Sequence, residues 1–91
     1  MDYTRRPIQQ TDSVTTREVE NEALMLDQAS GKIHQLNTSA YFIWKCCDGN
    51  NTIEDIIKLV EHEYSSQSDA IENDVITTLQ SLLDLQLISN N

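Results

Sequence analysis

The chain has 91 residues, 15 acidic against 6 basic, for a formal net charge of −9. That length supports one small domain whose core needs neither disulfide nor metal. The charge repels phosphate backbones and no basic cluster offsets it, so nucleic-acid binding is not expected. No apolar run is long enough to span a bilayer, and Met1-Asp2-Tyr3-Thr4-Arg5-Arg6-Pro7 is too polar for a signal segment. The expectation is a cytoplasmic protein without a membrane partner.

Residues 1–13 lack periodicity and hold the only proline, which reads as a flexible arm. Residues 14–19, Val-Thr-Thr-Arg-Glu-Val, are rich in β-branched side chains and predict a first strand. Glu20-Asn21-Glu22 follows as a polar turn. Ala23-Leu24-Met25-Leu26-Asp27 is a short apolar run bounded closely by turn signals, and so a second strand. Gln28-Ala29-Ser30-Gly31 makes a hairpin loop in which Gly31 can turn left-handed at little steric cost. Residues 32–36 form the third strand, with Ile33 and Gln35 on one face and His34 and Leu36 on the other. Connections this short join antiparallel neighbours.

At Asn37 the apolar period changes from 2 to about 3.6. Asn37 offers a cap to the next turn, with Thr38 or Ser39 as the alternative. Ala40, Ile43, Trp44 and Cys47 then fall at i, i+3, i+4 and i+7, predicting a helix over 38–47 that stops at Asp48-Gly49. Thr52 caps a second helix with Asp55 as its capping-box partner. Ile53, Ile56, Ile57, Val60 and Tyr64 form its inward stripe, and Glu54, Lys58, Glu61 and Glu63 face water. A polar linker at 65–68 leads to a third helix, capped by Asp69 with Glu72 and running to about Leu85. Its apolar positions, Ile71, Val75, Ile76, Leu79, Leu82 and Leu83, are too broad for one stripe and imply contact with the core and with something else. Three antiparallel strands followed by three helices make an α+β domain over 14–88, with a tail at 89–91.

No residue constellation predicts catalysis. Cys46 and Cys47 are adjacent, about 100° apart on a helix, and read as small core thiols; two thiols without a His or Cys cluster make no zinc site. His62 lies between Glu61 and Glu63 on a solvated face, and His34 is a half-buried strand residue. Ser65, Ser66 and Ser68 have no base with an orienting acid, and two glycines cannot build a phosphate loop. Trp44 reads as a core anchor. No enzyme, metal or cofactor is expected.

Leu24-Met25-Leu26-Asp27, Gly31-Lys32, His34, Leu36-Asn37, Ala40 and Ile43-Trp44, followed by Asp48-Gly49, resemble the PqqD family, peptide-recognition elements of ribosomal peptide natural-product pathways. Thr52-Ile53, Leu79, Leu82 and Leu87-Ile88 extend the likeness, which covers about 14–88. The resemblance implies a winged helix-turn-helix-like fold that takes the leader of a precursor peptide as an extra strand beside the third strand. It places Lys32, Ile33, His34, Gln35 and Leu36 on one side of the groove and Val75, Thr78, Leu79 and Leu82 on the other. For Leu79 and Leu82 plain core packing is an equal reading. Glu72 and Asp74 near that groove would favour a leader carrying Lys or Arg.

The implied role is a peptide chaperone that presents the precursor to a modifying enzyme. A radical SAM protein would be the partner in pyrroloquinoline quinone synthesis, a leader peptidase and cyclase in a lasso-peptide or related pathway. A monomer or weak homodimer is expected. The alternatives are a winged-helix DNA-binding regulator, opposed by a third helix without Lys or Arg, and a small homodimeric adaptor that pairs through the same sheet edge.

Overall fold

The computed structural model describes residues 2–65 and 69–90. The linker expected at 65–68 therefore lies outside the described residues beyond Ser65. Strands β2 (Val14–Val19), β3 (Glu22–Asp27) and β4 (Lys32–Leu36) form an antiparallel sheet in the order β2-β3-β4, ahead of helices α1 (Thr38–Cys46), α2 (Ile53–Glu63) and α3 (Asp69–Asp84). Two further strands, β1 (Ile8–Gln9) and β5 (Ile88–Ser89), pair with each other.

The first hairpin closes over Glu20 and Asn21, both at positive φ (53° and 69°). That backbone matches the twist of the flanking strands. Glu22, expected in the turn, consequently joins β3 opposite Val19. Gly31 ends the second hairpin at φ 74°. Along β3, Ala23 and Met25 are buried against the helices and pair with Leu36 and His34; Leu24 and Leu26 point away and pair with Gln35 and Ile33.

Each helix start is settled locally. Asn37 Oδ1 accepts the Ala40 N–H at 2.9 Å, and α1 ends at Cys46 with Cys47 as its cap, donating its N–H to Trp44 O. Gly49 sits just beyond at φ 82°, where a Cβ would lie 3.2 Å from Ile8 Cδ1. The capping box at α2 is complete: Asp55 N–H donates to Thr52 Oγ1 at 3.1 Å, and Thr52 N–H donates to Asp55 Oδ2 at 3.0 Å. Ile53, Ile56, Ile57 and Val60 are buried, but Tyr64 is not. It caps α2 instead of extending its inward stripe, and its exposed ring stands edge-on to Phe42. In α3, Val75, Leu79 and Leu82 enter the core, with Ile71, Ile76 and Leu83 partly buried beside them.

The amino-terminal segment, expected as a flexible arm, is a docked strap. Its backbone supplies partners that two helix ends lack: Ile53 N–H donates to Arg5 O, Glu54 N–H to Tyr3 O, and Gln9 N–H to Cys47 O. Pro7 is buried, and Gln10 N–H donates to Leu87 O. Trp44 Nε1 donates to the same Leu87 carbonyl at 3.0 Å, so the indole, the strap and the carboxyl-terminal strand meet at one oxygen. Among the described residues no helix is long and apolar enough to cross a membrane.

Thr52→Ala is expected to lower unfolding free energy by about 0.5–2 kcal/mol in urea denaturation. The Thr52 N–H holds the Asp55 carboxyl below its usual range. Asp55 therefore contributes stability above its unfolded pKa and loses it as pH falls through the lower folded value. An Asp55→Asn variant should show a smaller stability loss on acidification below about pH 4 than the native chain.

Candidate functional site

β4 pairs with β3 and, among the described residues, with no strand on its other side. Its outer margin therefore presents free backbone donors and acceptors. The strap, the one segment of this chain free to fill that margin, is committed elsewhere, to β5 and the ends of α1 and α2. β2 is the sheet's other edge, but Tyr41 of α1 reaches it: the phenol donates to Glu18, and burial ahead of that contact pushes the Tyr41 pKa up.

Beyond the end of β4 the chain turns into α1, and there an apolar cavity of about 240 Å³ opens between the three helices. Ile43 and Val60 line it from α1 and α2, and Ile71, Val75 and Thr78 from α3. Ser39, Tyr64 and Asp74 complete the lining and supply its polar atoms together with Thr78.

The expected site residues divide on this geometry. Lys32, Ile33 and Gln35 are exposed along β4, His34 is half-buried, and Leu36 is buried, leaving it only backbone to offer. Val75, Thr78 and Asp74 border the cavity. Leu79 and Leu82 are each 1 % exposed and pack inside the core, so they form no accessible wall. Glu72 is turned to the far side of α3, where it accepts a hydrogen bond from the Tyr3 hydroxyl, raising the Tyr3 pKa, and lines an acidic cleft with Glu54, Glu61 and Asp69. Residues two apart on a helix lie about 200° around its axis, so Glu72 and Asp74 cannot share a face. Sequence reasoning missed Ser39, Ile43, Val60, Tyr64 and Ile71. The break in the α2 stripe at Tyr64 was the available signal, since an aromatic one turn past Val60 had to find another partner.

Residues 22–88 match the family described as Coenzyme PQQ synthesis protein D (PqqD). The chain belongs to the PqqD family. No curated protein matches it. Among solved structures it is similar to TbiB1 in complex with the TbiA(β) leader peptide, with a TM-score of 0.77 and 22% identity over 90% of this chain and 95% of that one. At that identity the likeness is one of fold: the PqqD-family chain shares the α+β arrangement of a three-stranded antiparallel sheet followed by three helices.

The thiols of this PqqD-family domain sit outside the groove. Burial pushes Cys47 up to about 12 and also raises Cys46, which is only half-buried. Both are protonated at neutral pH, and the thiolate is the reactive form. Iodoacetamide at pH 8 is expected to alkylate Cys46 slowly and Cys47 only on unfolding, as peptide mass spectrometry would read. Equal labelling of both in the native state would contradict the burial of Cys47.

Proposed function

We propose that this PqqD-family domain captures the leader segment of a ribosomally made precursor peptide by strand addition at β4 and presents it to a modifying enzyme, without itself performing catalysis. The observation that carries this reading is the unpaired margin of β4 beside the apolar cavity between α1, α2 and α3. An added strand gains affinity from backbone hydrogen bonds and selectivity from pockets that accept alternate side chains. Here Lys32, Ile33, His34, Gln35 and Leu36 offer the backbone, and the cavity accepts one bulky apolar leader side chain. The leader peptide held by TbiB1, a protein of the same fold, supports the reading.

Asp74 at the cavity is the acidic group placed to select a Lys or Arg in the leader. Glu72 takes no part in that selection, being engaged by Tyr3 across the helix. The role requires no cofactor.

Titrating the domain with the leader encoded beside it should shift the amide resonances of Lys32–Leu36 and of Asp74, Val75 and Thr78. Shifts confined to Val14–Val19, or none, would defeat the reading. Thr78→Arg should fill the mouth of the cavity and weaken leader binding about tenfold or more while the thermal midpoint is retained. Asp74→Lys should weaken binding by about 2- to 5-fold and flatten its salt dependence, with Glu72→Lys having the smaller effect.

A further inference from the structure

We infer that the outward face of the β2-β3-β4 sheet is the docking surface for the enzyme that acts on the captured peptide, and that the peptide completes this surface. The inference rests on strand addition at β4. Leu24, Leu26 and Ile33 remain 40%, 37% and 66% exposed. The register gathers them: Leu26 pairs directly with Ile33, and Leu24 points to the same side one pleat along. Their β2 neighbours in the same rows are Arg17 and Thr15. In a chain of net charge −9, these rows hold one cation and no carboxylate.

Size and charge select the occupant. Three side chains, two of them more than half covered, fall far short of the ~800 Å² per partner of a stable interface. A second copy would also bring another charge of −9 against the first. A leader strand on β4 changes the area. Side chains alternate along it, so about half of them emerge beside Ile33 and Gln35 and widen the apolar face. The matching partner is a protein with an apolar recess rimmed by a carboxylate opposite Arg17. Because part of the surface belongs to the peptide, that enzyme distinguishes a loaded carrier from an empty one.

The test uses the full chain, its precursor leader and the purified maturation enzyme encoded with them, followed by calorimetric titration. Leu24→Thr with Leu26→Thr keeps strand propensity and leaves β4 intact. Leader affinity should stay within about twofold, and enzyme affinity for the loaded domain should fall about tenfold or more. Arg17→Glu should weaken enzyme binding without touching leader uptake, independently of the apolar pair. The native domain should bind enzyme more tightly loaded than empty. Normal leader uptake with enzyme binding insensitive to these variants overturns the composite face alone. A native domain that takes up no leader overturns the β4 reading and the composite face together. Concentration-dependent dimerisation in sedimentation, abolished by the leucine variants, would assign the face to a second copy and also overturn the inference.

Discussion

A three-stranded sheet covered on one face only is the constraint from which the rest of this domain follows. The helices seal Ala23, Met25 and Leu36 from below, and alternation then forces Leu24, Leu26 and Ile33 outward. A sheet this narrow has a single interior strand, β3, so both β2 and β4 are edges. One-sided burial suits a larger protein poorly but suits a carrier, because it leaves a backbone margin and a face open at once. The two edges are not equivalent. Tyr41 ties β2 to the underlying helix through Glu18, while β4 runs out into α1 beside the interhelical cavity.

The helical layer is closed from beneath by main-chain hydrogen bonds rather than by apolar burial alone. Free amides at the start of α2 and the carbonyl at the end of α1 need partners, and the strap brings its own backbone to both. Leu87 O receives the Trp44 indole and the Gln10 amide, which fixes the largest core side chain to both chain ends. Engaging the amino terminus there has a consequence for the site. A segment that could otherwise have paired with β4 is held on another side of the molecule, and the sheet margin stays free for a foreign strand.

Charge is distributed with the same economy. The carboxylates of Glu54, Glu61, Asp69 and Glu72 gather on one flank of the helical layer, with Tyr3 over them. The cavity keeps a single carboxylate, Asp74, and the outward sheet face carries Arg17. The acidic excess therefore serves solubility on one flank, while the surfaces assigned to recognition are mostly apolar.

Much of the fold was legible because its signals are local. Val14-Thr15-Thr16-Arg17-Glu18-Val19, the alternation through Leu36, the cap at Asn37 and the box at Thr52 each depend on residues within a few positions of one another. The alternation also assigned Ile33 to solvent and Leu36 to the core before any packing was known. The long-range pairing of Ile8-Gln9 with Ile88-Ser89 had no such signature: two-residue strands have no period, and their partners lie at opposite ends of the chain. The same limit governed α3. Its sequence declared a broad apolar face, but only the crossing with α1 and α2 decided that Leu79 and Leu82 fill the core while Thr78 and Asp74 reach the cavity. Sequence by itself determined the elements, their caps and which strand faces are apolar, since these follow from neighbouring residues and fixed backbone periods. Tertiary structure alone decided which edge stays unpaired and which helix residues border it, because both depend on where distant segments come to rest.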